Sequence, residues 1–223
     1  DFDGTLAETE EAHRNAFNKA FHSNRLNWNW DQHIYKKLLQ VAGGKERIEF
    51  YNNSFLSHSK QISRKDIEEI HFQKTKFYAQ AVSQGFVQLR PGIRKFLERA
   101  KYNKKKLAIS TSTGRDNVIL LLRSCLNENP EHIFSFISTG DLVEKKKPSP
   151  ELYKLVLAEL KLLPEECLAF EDSRIGLVSA KRANIKTAVN PSQYSKGDNF
   201  DEADYFLTSF LFEQFPKSLQ RRL

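Results

Sequence analysis

Apolar residues in the first third of the chain recur at the spacing of α-helices. In residues 8–22 the positions that share one helical face are Ala12, Ala16, Phe17, Ala20 and Phe21. Residues 31–56 and 64–83 have a similar periodicity, which is typical of amphipathic helices. The pattern therefore predicts a first third that is all-helical after a short opening loop.

The pattern changes at "LRPGIRKFL", where Pro91 and Gly92 predict the start of a helix that runs to about Tyr102. After it, short apolar runs such as "KLAIST", "IFSFIST", "CLAFED" and "KTAVN" alternate with amphipathic segments such as "ELYKLVLAELKLL". Strands that alternate with helices predict a parallel sheet with helices on both faces. We therefore expect an α/β fold with a Rossmann-like, three-layer parallel sheet.

Polar residues end two of these apolar runs: Thr111 in the first, and Glu171 with Asp172 in "CLAFED". Ligands of parallel sheets bind beyond the carboxyl ends of the strands, so these residues indicate a site at one sheet edge. Asp1 and Asp3 open the chain in "DFDGT". An apolar strand that leads into Asp1 would bring both aspartates to the same edge. We therefore expect the first strand of the sheet to lie upstream of this sequence.

The composition is that of an ordinary soluble globular protein, with 39% hydrophobic and 28% charged residues. No apolar run approaches the roughly 20 residues that a membrane-spanning helix needs, and no signal-peptide pattern precedes Asp1. Cys125 and Cys167 match no metal-binding spacing, so we expect free thiols in a reducing compartment. We expect the protein inside the cell, in the plastid stroma if the source is a photosynthetic eukaryote and in the cytoplasm otherwise.

The net charge of +7 raises the question of nucleic-acid binding. The lysines are scattered, apart from Lys104–Lys106 and Lys145–Lys147, and no nucleic-acid-binding motif is present. A positive field also attracts small anionic substrates. We therefore expect neither a nucleic-acid nor a membrane partner.

Four separated segments place chemically active residues at the predicted sheet edge: "DFDGT", "LAIST", the lysine before Pro148, and "AFEDS". Their polar residues are Asp1, Asp3, Thr111, Lys147, Glu171 and Asp172. In this order the segments resemble the four motifs of the haloacid dehalogenase superfamily, whose members are mostly phosphatases and phosphomutases. One such segment is moderately specific, whereas all four at predicted strand ends are strongly so. The resemblance covers nearly the whole chain.

The resemblance implies that Asp1 is a nucleophile that forms an aspartyl-phosphate, which splits phosphoryl transfer into two easier steps. Asp3 is then the general acid and base, because the leaving alkoxide needs a proton and the attacking water must lose one. True dehalogenases of the superfamily lack this second aspartate, which argues against dehalogenation. Lys147 would offset the charge of the phosphate and keep Asp1 ionised.

A carboxylate that faces a phosphate needs a hard cation. The family pattern implies Mg²⁺, held by the side chains of Asp1 and Asp172 and by the backbone carbonyl of Asp3. Glu171 would orient the water molecules around the metal. Thr111 would donate its hydroxyl, and the next residue its backbone N–H, to a phosphate oxygen.

Each of these residues also has a simpler interpretation. Asp1 and Asp3 could be solvated acids at a frayed end. Lys147 could belong to an exposed lysine triplet, and the Glu-Asp pair at 171–172 could cap the next helix. The convergence of all four segments at one predicted edge favours the catalytic interpretation.

The helical first third resembles the cap that this superfamily inserts after its first motif. We predict a core domain of residues 1–12 and 86–223 and an inserted, all-helical cap domain of residues 13–85. Closure of such a cap excludes water while the intermediate forms and then admits it for hydrolysis.

The cap segments "AETEEAHRNAFN" and "WNWDQHIYKKLLQVAGGKERIEFY", with the later "PSQYSKGDNF", resemble the CbbY-type members of the superfamily. Those members dephosphorylate xylulose 1,5-bisphosphate. The predicted substrate-binding residues are Glu8, His13, Gly44, Lys45, Arg47, Ser112 and Arg115. Glu8 and His13 are expected to hydrogen-bond to hydroxyl groups of the sugar. Lys45, Arg47 and Arg115 are expected to bind phosphate. The expected partner is a small phosphorylated sugar, and the protein is expected to be a monomer.

Alternatives remain open for these residues and for the activity. Lys45 and Arg47 could be a solvated helix start, His13 a hinge or packing residue, and Arg115 the exposed start of a helix. The motifs fit a phosphomutase of the β-phosphoglucomutase type, or a broad sugar-monophosphate phosphatase, as well as a bisphosphatase. A more remote alternative is a non-catalytic anion-binding protein. The cap resemblance favours the bisphosphatase.

Overall fold

The structure is a computed structural model that describes residues 1–126 and 128–223. The chain divides into two compact units. The core unit consists of Asp1–Glu8 and Gln88–Leu223, and the helical unit consists of Thr9–Val87. None of the described helices combines the length and the apolar character that a membrane-spanning segment needs.

Four α-helices build the helical unit. They are α1 (Glu10–Ser23), α2 (Gln32–Leu38), α3 (Gly44–Ser54) and α4 (Arg64–Ser83). Helix α4 begins with a capping box, in which the side chains of Ser63 and Asp66 accept from each other's backbone N–H groups. Helix α1 packs against α4 and buries its predicted apolar face, with Phe17 and Phe21 fully enclosed. The prediction of an all-helical segment is confirmed.

The helical pattern over residues 31–56 is interrupted in the structure. Helix α2 ends at Leu38 and α3 begins at Gly44, and between them Gly43 has a φ of 96°. Side chains with a Cβ rarely adopt this conformation, whereas glycine adopts it without strain. The prediction of one helical stretch was therefore wrong at its centre, where the Gly-Gly pair breaks the helix.

The core unit alternates strands and helices along the chain. Its strands are β1 (Ala108–Ser110), β2 (Phe136–Ser138), β3 (Leu168–Glu171), β4 (Lys186–Val189) and β5 (Tyr205–Phe206). Its helices are α5 (Ile93–Tyr102), α6 (Arg115–Leu126), α7 (Pro130–Ile133), α8 (Glu151–Leu160), α9 (Arg174–Arg182) and α10 (Lys217–Gln220). The predicted alternation is confirmed. Strand β5 was missed, since two residues give no readable periodicity.

The pairs among β1 to β5 in the described part of the chain are parallel, as predicted. Strand β1 pairs with β2, with Ile109 opposite Ile137, and the second sheet has the order β3-β4-β5. Helix α8 packs against β1 and β2, and α9 packs against β3 and β4. Chain direction then places Thr111 just after β1 and Asp172 just after β3, at the carboxyl ends where α/β sheets bind ligands.

Candidate active site

Asp1 lies beside strand β3, where its nitrogen donates to the carbonyl of Phe170 at 2.9 Å. Its carboxylate accepts from the Thr5 hydroxyl at 3.0 Å and from Nζ of Lys147 at 2.7 Å. Only 9% of the Asp1 side chain is exposed. The first residue of the sequence is therefore an enclosed carboxylate with a cation in contact.

Gly4 allows the opening segment to turn sharply. Its φ is 76°, and a Cβ at this position would overlap the carboxylate of Asp172. Only glycine satisfies both the conformation and the close approach. The turn brings the "DFDGT" segment against the residue that follows β3, although about 170 positions separate them in the sequence.

Lys147 joins two carboxylates in the interior of the core unit. Its Nζ lies 2.7 Å from Oδ1 of Asp1 and 2.5 Å from Oε1 of Glu171. The side chains of Lys147 and Glu171 are 4% and 0% exposed. Buried charges are tolerated when they are paired and hydrogen-bonded, and here one ammonium group serves both acids.

Tyr153, near the start of α8, donates its hydroxyl to the same Glu171 oxygen. Burial, together with the charge of Glu171, raises the pKa of Tyr153 well above its ordinary value of 10.0. The phenol therefore stays protonated and remains a hydrogen-bond donor. The Lys147 ammonium also lies 5.2 Å from the centre of the Tyr153 ring, within range of a cation–π interaction.

Three acidic residues could hold a metal ion. Asp1, Glu171 and Asp172 each offer a carboxylate oxygen, and these oxygens all lie within 4.8 Å of one another. Oε2 of Glu171 is buried and has no hydrogen-bond partner among the described residues. Carboxylate oxygens are the ligands that Mg²⁺ prefers, so the residues present fit a hard divalent cation. Asp3 is not among the three.

The segment after β1 contacts Asp3. The Thr113 hydroxyl donates to Oδ2 of Asp3, and the Thr113 N–H donates to the Thr111 hydroxyl at 3.1 Å. The Thr111 N–H donates to the carbonyl of Ser138 at 2.9 Å, which ties the segment to β2. The Ser112 hydroxyl is buried without a hydrogen-bond partner among the described residues. The structure thus brings together the predicted residues Asp3, Thr111 and those flanking them.

Two predicted substrate contacts of the core unit are partly exposed. Glu8 lies 3.5 Å from Nε of Arg90 and accepts from the Gln193 N–H at 3.4 Å. Arg115 donates from its guanidinium to Glu131 at 3.0 Å, and 48% of its side chain is exposed. These contacts are long or solvated, so either side chain could exchange them for a ligand.

The other predicted contacts lie in the helical unit. His13 is buried, stacks on Tyr78 with ring centres 3.9 Å apart, and has Nδ1 2.9 Å from Nζ of Lys74. Lys45 is exposed, in the first turn of α3. Gly44 lies so close to the His71 ring that a Cβ would come within 2.8 Å of Nε2. The roles given to these residues stay predictions.

Arg47 is buried and already engaged within the helical unit. Its guanidinium donates to the Tyr35 hydroxyl at 3.0 Å and to the Val41 carbonyl at 3.2 Å. The Tyr35 hydroxyl in turn donates to Glu10 at 2.7 Å. These bonds fix the loop before α3, whatever else Arg47 binds.

Sequence reasoning missed two side chains of the core-unit site. Tyr153 occupies an apolar position of a helical pattern, which predicts packing and not a bond to a buried acid. Thr113 lies inside the quoted segment "TSTG". Its position two residues after Thr111 could have identified it, because polar residues that follow a strand end lie near the same site.

Comparison with known proteins gives consistent matches. A family model described as haloacid dehalogenase-like hydrolase matches residues 1–190. Protein CbbY of Rhodobacter capsulatus is 42% identical over 205 residues, which cover 92% of this chain and 89% of that protein. A second match is the crystal structure of an Asp-to-Asn variant of CbbY from Rhodobacter sphaeroides in complex with xylulose 1,5-bisphosphate. Its sequence is 40% identical to this chain, and the TM-score is 0.88 over 94% of this chain and 92% of that one. A β-phosphoglucomutase from Clostridium difficile shares the fold, at 21% identity and a TM-score of 0.74 over 99% and 93% of the two chains.

Proposed function

Since this chain is a phosphatase that belongs to the haloacid dehalogenase-like hydrolase family, we propose that it hydrolyses a sugar bisphosphate, with xylulose 1,5-bisphosphate as its substrate. The observation that carries the chemistry is the contact of Lys147 with both Asp1 and Glu171. The sugar is supported by the CbbY structure that holds xylulose 1,5-bisphosphate at 40% identity.

Asp1 is the proposed nucleophile. Its carboxylate oxygen attacks phosphorus, the bond between phosphorus and the sugar oxygen breaks, and an aspartyl-phosphate forms. Water then attacks this phosphorus and releases inorganic phosphate, which restores the carboxylate. Lys147, in contact with Asp1 at 2.7 Å, would offset the negative charge of the transferring group in both steps.

Asp3 is the proposed proton carrier. Protonated at the outset, it gives its proton to the departing sugar oxygen, and it takes one back from the water of the second step. The hydrogen bond from the Thr113 hydroxyl to Oδ2 of Asp3 supports this role, because it fixes the orientation of the carboxyl group beside the proposed phosphate site. Asp3 is therefore protonated again at the end of one turnover.

Thr111 and Ser112 would bind the phosphate oxygens through a hydroxyl and a backbone N–H. Mg²⁺ held by the carboxylates of Asp1 and Asp172 would stabilise negative charge on the phosphate, and Glu171 would orient water around it. The buried Glu171 oxygen without a described partner supports a cation at this position.

The remaining predicted residues would recognise the sugar and its second phosphate. Glu8 and His13 would meet hydroxyl groups. Lys45 is exposed and would contact the second phosphate, while Arg47 would do so only in addition to the bonds that already fix the loop before α3. Gly44 and Arg115 would complete these contacts.

Phosphate release from a panel of sugar phosphates tests the proposal. The panel contains xylulose 1,5-bisphosphate, pentose and hexose monophosphates, and glucose 1-phosphate, each assayed with Mg²⁺ and with EDTA. We expect stoichiometric, Mg²⁺-dependent release and the highest kcat/KM for the bisphosphate. Interconversion of monophosphates with little net release would instead indicate a mutase. Higher kcat/KM for monophosphates would indicate a broad sugar-monophosphate phosphatase.

A further inference from the structure

Arg90 has no role in the chemistry described above, yet its side chain is only 11% exposed. Its guanidinium donates to three backbone carbonyls: Gly4 at 2.5 Å, Asn190 at 2.9 Å and Pro191 at 3.0 Å. These carbonyls belong to two segments of the core unit that are remote in sequence. A planar group with several N–H donors can bind such a set at once, which an ammonium group on a single nitrogen does poorly.

The first segment is the turn that carries the proposed nucleophile. The Gly4 carbonyl follows Asp3 directly in the chain, and the Gly4 backbone lies against the carboxylate of Asp172. The Arg90 backbone N–H also donates to the Leu6 carbonyl at 2.8 Å. Arg90 thus holds the turn at two points.

The second segment supports Glu171, the last residue of β3, and Asp172, which follows it. The Asn190 N–H donates to the Glu171 carbonyl at 2.9 Å. In the same loop, the Ser195 hydroxyl donates to the Asp172 carbonyl at 2.5 Å. The backbone positions of Glu171 and Asp172 are therefore set by the loop whose first carbonyls Arg90 binds.

The charge of Arg90 adds to this geometry. Burial lowers the pKa of Arg90, and the carboxylates of Glu8 and Asp172 act in the opposite direction. Glu8 lies 3.5 Å from Nε. The guanidinium therefore contributes positive charge close to the acidic site as well as fixing its backbone.

We propose that Arg90 is a positioning residue of this phosphatase: it braces the Asp1–Gly4 turn against the loop that holds Glu171 and Asp172. Separation of the two segments would move Asp1 relative to Asp172. Small displacements of reacting groups lower the rate of the chemical step by about 10- to 100-fold, without an equal loss of substrate affinity. The proposal rests on the catalytic roles given to Asp1 and Asp172.

The test compares Arg90→Lys with the intact enzyme on para-nitrophenyl phosphate and on xylulose 1,5-bisphosphate. The variant keeps the positive charge and loses the guanidinium group that donates to the three backbone carbonyls. We expect kcat to fall about 10- to 100-fold on both substrates, with KM changed less than about twofold. A readout besides activity is the Mg²⁺ concentration that gives half of the thermal stabilisation of the protein, which we expect to rise.

Arg94→Lys is the matched control, because Arg94 also donates to a backbone carbonyl, that of Cys125 at 2.5 Å, on the exposed surface. We expect its kcat and Mg²⁺ midpoint to be those of the intact enzyme. Three outcomes would overturn the proposal: an unchanged kcat in Arg90→Lys, an equal loss in the control, or failure of both Arg90→Lys and Arg90→Gln to fold. The last would assign Arg90 to overall stability. If the intact enzyme hydrolysed only the aryl phosphate, the substrate proposal would fail while this comparison still stood.

Discussion

Tyr153→Phe removes one oxygen atom from the buried network of Lys147 and Glu171. The ring stays in place, so its packing and its position 5.2 Å from the Lys147 ammonium are kept. What is lost is the hydrogen bond from the phenol to a carboxylate that is 0% exposed. Hydrogen bonds to charged groups contribute about 1.5–3 kcal/mol, so we expect a loss of this size in the free energy of unfolding at pH 7.

The pH dependence gives this prediction a second, independent part. The pKa of Tyr153 is raised well above 10.0 in the folded protein. Between that ordinary value and the raised one, the unfolded chain loses the phenolic proton while the folded chain keeps it. The contribution of Tyr153 is therefore complete below pH 10 and declines by about 1.4 kcal/mol per pH unit above it. Since Phe does not ionise, the difference between the intact protein and the variant should shrink by about 1 kcal/mol between pH 10 and pH 11.

Urea unfolding followed by circular dichroism measures both parts. Fluorescence is less suitable, because Trp28 and Trp30 both lie in the helical unit. Tyr102→Phe serves as control, since Tyr102 is 86% exposed and its loss should change stability by less than about 0.5 kcal/mol. A Tyr153→Phe difference as small as that of the control, or one that stays constant from pH 8 to pH 11, would refute the reasoning.

Three further predictions each concern the substitution of a single residue. Asp1→Asn should abolish phosphate release and leave the circular dichroism spectrum unchanged, and an active, folded variant would remove Asp1 as nucleophile. Lys45→Ala should raise KM about 10- to 100-fold for a bisphosphate and little for a monophosphate; equal effects on both would contradict the second-phosphate role. Asp204→Asn should cost about 0.2–1 kcal/mol at pH 7, because Asp204 pairs with Lys181 at 2.7 Å. Although burial opposes ionisation, hydrogen bonds from Lys181 and Thr187 lower the pKa of Asp204, so this difference should vanish in urea titrations as the pH falls below about 4.

The sequence was sufficient for the parts of the fold that depend on local periodicity. Apolar runs next to amphipathic segments predicted β1 to β4 and the helices α6, α8 and α9, because burial of one face imposes a period that can be read along the chain. Periodicity predicted a helix across residues 39–43, because the apolar spacing continues there, and only the Gly43-Gly44 pair indicated that the backbone could turn at this point. Periodicity reports which face is buried and not whether the helix axis is continuous.

The candidate site could be predicted as far as chain order locates it. The alternation of strands and helices predicted that Thr111, Glu171 and Asp172 lie at strand ends, where α/β sheets bind ligands, and the structure places Thr111 directly after β1, Glu171 at the end of β3 and Asp172 next to it. Tyr153 and Arg90 could not be found in this way, because their hydrogen-bond partners lie outside their own sequence segments and local periodicity does not report such contacts. Arg90 in particular binds carbonyl groups, which every residue has, so no partner residue type signals it.

The acidic site is held together by donors that differ in kind. Four carboxylates lie in this part of the core unit, and each would repel the others if it were left alone. The Lys147 ammonium pairs with both Glu171 and Asp1. The Tyr153 hydroxyl donates to Glu171, and the Thr113 hydroxyl donates to Asp3. Asp172, whose carboxylate lies against Gly4, accepts from the Thr5 hydroxyl at 3.4 Å through Oδ1 and from the Ser195 hydroxyl through its backbone carbonyl. Hydrogen bonds from an ammonium group, a phenol and two threonine hydroxyls therefore offset the repulsion among the four acids.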